Sequence, residues 1–225
     1  MILRLIVHIF IWFGAMAILL FLAAGTFAWP GAWVFLVLMI LLSFTLGIDL
    51  ARRDPGLLRE RMGSPVQRDQ PAADKVLLMV LLLVIFAWLV VMGLDAKRFA
   101  WSSVPTLVQV LGALITLWST WFCYRTMREN SFAAPVVKLQ RERGQTVIST
   151  GPYAFVRHPM YFGAAFYFIG AALLLGSWWG VIFAFVLIGL LCVRIPIEEK
   201  ALRAGLEGYD EYAGRVRYRL ILHVW

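Results

Sequence analysis

The chain has 225 residues, of which 62% are hydrophobic and 15% charged, with a formal net charge of +8 and a mean hydropathy of +0.81. Values this apolar exclude a soluble globular domain and predict an integral membrane protein. The positive charge does not point to nucleic acid, because the lysines and arginines fall where membrane orientation and anionic headgroups require them.

Crossing a hydrocarbon core of about 30 Å takes roughly 20 helical residues. Four apolar stretches are each read as long enough to cross, at residues 5–28, 33–48, 76–93 and 104–122. The first is too long for a signal peptide and lacks a convincing small-residue cleavage site, so it is expected to be retained. Between the second and third lies a connector, residues 49–75, with Pro55, Pro65 and Pro71. It reads as an irregular, solvated linker with at most one amphipathic turn from Leu57 to Met62. Two shorter apolar runs, 160–175 and 178–193, are separated only by Gly176 and Ser177. Each spans about 24 Å as a helix and together they predict a tight helical hairpin. The apolar runs are continuous rather than alternating, which excludes barrel strands. The expected fold is therefore all-α: a polytopic membrane helical bundle with a short C-terminal helical hairpin and a cytoplasmic amphipathic tail helix.

Orientation follows from the basic residues. Arg4, the 49–75 connector, the 124–158 segment and the tail after Arg194 carry the lysines and arginines on one side, and only Lys97 and Arg98 fall on the other. Positive loops stay cytoplasmic, so both termini are expected there, in a multi-pass protein of the cell membrane. Polar residues within the first four segments, among them Gln109, Thr116, Ser119 and Thr120, read as helix-packing contacts. Trp29, Trp33, Trp101, Trp178 and Trp179 sit at segment ends, as interfacial aromatic belts do. Cys123 and Cys192 show no metal-type spacing, and no metal site is expected. No internal repeat is visible, which weighs against transporters built from duplicated halves.

Polar chemistry concentrates after residue 136. The stretch "TGPYAFVRHPMYFGA", Thr150 to Ala164, puts a Gly-Pro turn, Arg157 and His158 directly before an apolar run. Pro159 suits the first turn of a helix, which sets Arg157 and His158 at the membrane lip with Tyr161 about one turn inside. The hairpin exits into "RIPIEEKALRAGLEGYDEYAGRVRYRLI". There Arg194 and Glu198, and Glu199 and Arg203, are four apart and are expected to pair on a helix face. Glu198 and Glu199 point about 100° apart, so one enters a site while the other stays in water. An apolar stripe of Ile197, Leu202, Leu206, Tyr209, Tyr212 and Val216 lays this tail along the interface, with a bend near Gly208. A hairpin returns the chain to where it left, so the two ionisable clusters must meet.

At these residues the chain resembles the isoprenylcysteine carboxyl methyltransferase family and, more broadly, membrane methyltransferases that include phosphatidylethanolamine N-methyltransferases. The resemblance rests on "GPYAFVRHPMYFG" followed by the hairpin and "RIPIEEKAL…GYDEYAGRVRYRLI", and covers the chain from about Lys138 onward. It implies a division into a four-helix transmembrane region, residues 1–123, and a catalytic region, 124–225. It implies S-adenosylmethionine as methyl donor, bound by Lys138, Gln140, Val147, Ile148, Gly151, Tyr153, His158, Pro159, Tyr161, Glu198 and Glu199. Glu198 is assigned to the ribose hydroxyls, since a carboxylate accepts from two adjacent hydroxyls. Arg157 and Arg194 are assigned to carboxylates of donor or acceptor, and with Glu198 they form the expected catalytic group. The implied acceptor is a lipidic or isoprenoid small molecule reached from membrane lipids. A carboxylate acceptor needs no general base, whereas an amine or thiol must lose its proton, with His158 or a glutamate assisting. The family's usual proline after the leucine-isoleucine pair is absent here, where the chain reads Leu220-Ile221-Leu222-His223. Two alternatives compete: a sterol-type reductase whose nicotinamide 2′-phosphate meets Lys138, Arg141 and Arg143, and a lipid-binding or transport protein with no catalysis.

Overall fold

The computed structural model describes residues 1–225. It is all-helical: α1 (Ile2–Ala24), α2 (Pro30–Arg53), α3 (Pro55–Arg61), α4 (Ala72–Gly93) with a π-helical turn at Leu94–Arg98, α5 (Thr106–Glu129), α6 (Pro159–Leu174), α7 (Trp178–Gly205) and α8 (Tyr209–Arg215). Five helices, α1, α2, α4, α5 and α7, are long and apolar enough to cross a membrane, and α6 is a shorter apolar helix of 16 residues. The protein is thus a polytopic helical membrane bundle.

Local chemistry sets the boundaries. Prolines occupy the first turn of α2, α3 and α6, where a missing N–H leaves no bond unmade. The first predicted run extends to residue 28, but α1 stops at Ala24 because Gly25 adopts φ 69°, a left-handed cap that favours glycine. Arg98 then donates to the Leu22 and Ala23 carbonyls at 3.2 and 3.4 Å, satisfying the free end of α1 from the turn after α4.

Both chain termini lie at one end of the bundle. Arg4 donates to the Met62 carbonyl at 3.4 Å, and the tail reaches the start of α6, where the His158 N–H donates to the Arg219 carbonyl at 2.8 Å. The opposite end is pinned by Asp95. Its Oδ2 accepts from Ser102 and Ser177, each at 2.6 Å, and from the Trp179 N–H at 3.2 Å. Ser177 in turn accepts from the Gly180 N–H at 2.7 Å and so caps α7. Trp33, Trp101, Trp178 and Trp179 are exposed, as belt residues are, whereas Trp29 is buried and joins the core instead.

One apolar core runs from Leu5 to Leu191, through the first helices and the hairpin alike. The α5 and α6 helices are the most closely packed pair. A Cβ on Gly112 would meet the Leu174 nitrogen at 2.5 Å, and one on Gly170 would meet Thr116 Oγ1 at 2.8 Å. Small residues let the backbones touch, which is the usual currency of helix association in lipid. Thr116 and Ser119 donate to helix carbonyls in this seam.

Two features depart from expectation. The 49–75 connector is not a solvated linker, because Leu57, Leu58 and Met62 of the α3 turn are buried in the main core. Asp54 holds that turn by accepting from the Leu57 N–H at 2.9 Å. The hairpin's second arm also does not end at residue 193. The α7 helix runs on through Pro196 to Gly205, 28 residues in all, or about 42 Å. That is longer than a hydrocarbon core of about 30 Å. The bend falls at Gly208, φ 78°, and only α8 remains as a short tail helix.

Candidate active site

At the end of the bundle where the termini lie, a cavity of about 330 Å³ opens between α4, α6, the α7 extension, α8 and the segment joining α5 to α6. Its deep wall is apolar and includes Leu78 and Leu81 of α4, Phe168 of α6 and Leu191 of α7. Phe168 stands nine residues into α6, about 14 Å along its axis from Pro159, so the cavity reaches from the polar rim into the bundle.

The polar wall is built where the two arms of the hairpin meet. Tyr161, in the first turn of α6, donates to Glu198 Oε2 at 2.6 Å. The His158 and Tyr161 rings are stacked, with centroids 5.5 Å apart and planes 11° apart. His158 Nδ1 lies 3.6 Å from Glu198 Oε2, and its Nε2 lies 3.4 Å from Glu199 Oε1. The sequence argument that a hairpin must bring its flanking clusters together describes this contact. The pairing expected within α7 does not form: Arg194 bonds Asp74, Arg203 bonds Asp210, and neither glutamate takes its i,i+4 arginine.

The two glutamates occupy opposite situations to a simple in-and-out pair. Glu198, 29% exposed at the side chain, lines the cavity and leaves Oε1 without a protein partner. Glu199 is not in water. It is 4% exposed and accepts from Arg157 at 2.6 Å and Arg219 at 3.1 Å, away from the cavity wall. Arg157 also donates to the Val216 and Arg217 carbonyls at 2.7 and 2.9 Å. It thereby straps the C-terminal segment across the start of α6.

Arg194 is held likewise. Its Nε donates to Asp74 Oδ1 at 2.7 Å and its Nη2 to the Pro135 carbonyl at 2.6 Å, while its charge lies 5.9 Å over the Tyr161 ring. Asp74 accepts as well from the Val137 N–H at 3.0 Å and from Gln70 at 2.6 Å. This buried carboxylate orders α4, α7 and residues 135–137 together.

Of the residues expected to form the site, Lys138, Val147, Ile148, Tyr153, Arg157, His158, Tyr161, Arg194 and Glu198 line the cavity. Four do not. Gln140 is fully buried and bridges Phe132, Gln145 and Arg143. Gly151, φ 56°, packs against Glu129; Pro159 opens α6 and Glu199 sits in its ion cluster. Residues the sequence reading missed also line it, notably Arg61 of α3, Tyr209 and Tyr212 of α8. Tyr212 donates to the Tyr153 carbonyl at 2.8 Å, whereas the Tyr209 hydroxyl is buried without a partner. Burial pushes the Tyr212 phenol up to about 12 and also raises those of Tyr153 and Tyr209, so all three stay neutral at physiological pH. Lys138 is paired with Glu60 at 2.7 Å, and Arg143 with Asp54 at 3.4 Å.

An open carboxylate, an unsatisfied buried hydroxyl and stacked rings form the rim of a cavity whose floor is hydrocarbon. Such a wall can hold a polar, partly aromatic ligand against an apolar one. Residues 107–206 match the phospholipid methyltransferase family. A stretch of 126 residues is 35% identical to Protein-S-isoprenylcysteine O-methyltransferase of Saccharomyces cerevisiae, taking in 54% of this chain and 52% of the yeast protein. The chain thus spans about half the length of that curated relative. The family match begins upstream of Lys138 and takes in α5, so the relationship is not confined to the motif-bearing region after it.

Proposed function

We propose that the chain is a membrane methyltransferase of the isoprenylcysteine and phospholipid type, a reading its similarity to both supports, and that it transfers a methyl group from S-adenosylmethionine to a lipidic acceptor, most simply a carboxylate. The observation that carries this reading is the meeting, in one cavity, of the Glu198, His158 and Tyr161 wall with the apolar Leu78, Leu81, Phe168 and Leu191 wall. When bound, the donor supplies a sulfonium methyl group.

The chain's own residues have defined tasks in this account. Glu198 accepts from the ribose hydroxyls through its open oxygen, and Tyr161 orients that carboxylate. Tyr153 and the His158–Tyr161 stack border the flat adenine, and the Tyr209 hydroxyl gains the partner it lacks in the protein. Backbone at Val147 and Ile148 completes the wall. Arg157 and Arg194 act first as positioning residues, because Glu199, Asp74 and three carbonyls already hold them. Each keeps one terminal nitrogen free of protein acceptors. Displacement at a sulfonium disperses charge, so a dry site that aligns acceptor, methyl and leaving sulfur does most of the work.

Of the three basic residues that a nicotinamide 2′-phosphate would meet in the reductase alternative, Lys138 and Arg143 are paired with Glu60 and Asp54 and only Arg141 is unpaired, which weighs against that alternative. Orientation follows the same logic as the charge count. The end bearing the cavity and termini is cytoplasmic, where the donor is made, and Lys97 and Arg98 lie outside. Purified protein incubated with methyl-labelled donor and membrane lipids tests the proposal. Label that partitions into the organic phase and is released as volatile methanol by mild alkali identifies a methyl ester. Alkali-stable label indicates an amine or thiol acceptor, and no lipid label overturns the proposal.

A further inference from the structure

Four permanent cations line the cavity, and three of them are paired inside the protein: Lys138 with Glu60, Arg157 with Glu199 and Arg194 with Asp74. The fourth is Arg61. It has no carboxylate within ion-pair distance, and its protein acceptor is the Ala133 carbonyl, 2.9 Å from Nη1. A guanidinium carries five N–H donors in a planar fork, so most of its bonding capacity is unused by the protein at a position that lines the cavity.

This placement is built rather than incidental. Arg61 is the last residue of α3, the turn whose Leu57, Leu58 and Met62 are sunk in the main core and whose first turn Asp54 caps. The backbone is therefore fixed, and the guanidinium is anchored at one nitrogen to the segment that roofs the cavity. The adjacent Glu60 is taken by Lys138. A charge held in a half-apolar cavity with no counter-charge is costly unless a ligand supplies one, and a carboxylate matches the fork in a bidentate way.

We propose that Arg61 is an anion-binding residue of the cavity and receives the carboxylate of a bound ligand. It lies outside the family match, which begins at residue 107, on the connector between α2 and α4. The identity of the ligand rests on the methyltransferase reading, in which both the amino-acid end of the donor and the acceptor carry a carboxylate. Arg157 and Arg194, the arginines that sequence position favours for this task, have their charges met by Glu199 and Asp74.

The test compares wild type, R61Q and R61K, purified as the full chain in detergent, for binding of two acid/neutral pairs. The first is S-adenosylhomocysteine with its decarboxylated counterpart, and the second is an S-farnesylcysteine probe with its carboxyl methyl ester. R61Q should weaken one acid by about tenfold or more while its neutral counterpart is scarcely affected. R61K should lie between, keeping the charge and losing the fork. Selective loss of the homocysteine ligand assigns the site to the donor, and selective loss of the farnesylcysteine acid assigns it to the acceptor. Unchanged binding of both acids in R61Q overturns the proposal, as does equal loss of all four ligands with a lowered melting temperature, which marks a structural role. If wild type itself does not bind S-adenosylhomocysteine, the methyltransferase reading fails, and the farnesylcysteine pair alone decides the role of Arg61.

Discussion

Glu198 and Glu199 are neighbours on α7, and their surroundings separate their roles. Glu198 bonds only Tyr161 at close range and keeps an oxygen open to the cavity, so losing its charge should cost ligand affinity more than stability. Substituting Glu198→Gln is expected to weaken donor binding about 10- to 100-fold, the worth of one charge-assisted hydrogen bond or two, with the melting temperature nearly unchanged. Glu199 instead neutralises Arg157 and Arg219 in a buried cluster. Glu199→Gln should lower stability by about 3–5 kcal/mol, since it strands a buried charge, and denaturation in detergent reads this directly. Tyr161→Phe removes the hydroxyl that aims Glu198 and should weaken the donor about 3- to 10-fold while leaving the fold intact. A larger stability loss at Glu198 than at Glu199 would reverse the assignment.

At the scale of elements, the site depends on three tethers that bring distant segments to the hairpin. Asp74 at the head of α4 joins Arg194 of α7 to the Val137 N–H. Asp74→Ala leaves Arg194 buried and unpaired, with an expected loss of about 3–5 kcal/mol. In a double-mutant cycle Asp74→Ala with Arg194→Met should be less damaging than Asp74→Ala alone, and simple additivity would contradict the pairing. The α5–α6 seam is the second tether. Gly170→Leu has no room beside Thr116 and should separate those helices, seen as loss of a folded detergent-stable species. The third is Arg157, whose guanidinium holds the Val216–Arg217 strap. These tethers also explain what could be read in advance. The six apolar segments and the hairpin were legible because lipid demands long continuous runs, and the proximity of His158 to Glu198 followed from chain return alone. The Asp74–Arg194 pair spans 120 residues and leaves no local spacing to notice. The i,i+4 pairs expected on α7 lost to these tertiary partners. The α3 turn was misread because Leu57, Leu58 and Met62 present the same short pattern whether a turn floats or packs, and Arg61 went unnoticed with it.

For the whole molecule, the arrangement places a polar rim and a hydrocarbon floor at the same end as both termini and nearly all the basic loops. With that end cytoplasmic, reporters fused at the N- and C-termini should both read the cytoplasm, and a cysteine placed at Lys97 should label from outside. Opposite compartments for the two termini would contradict an even number of crossings. Along α7, Glu198 of the polar wall and Leu191 of the apolar wall stand seven residues, about 10 Å, apart. In the proposed function this spacing lets a water-soluble donor and a membrane-soluble acceptor share one cavity. The most direct measurement is calorimetric titration of detergent-purified protein with S-adenosylmethionine, S-adenosylhomocysteine and NADPH, for wild type and Glu198→Gln. The account predicts saturable binding of the two adenosyl ligands, strongly weakened by the substitution, and no binding of NADPH. Binding of NADPH alone, or adenosyl binding indifferent to Glu198, would contradict it.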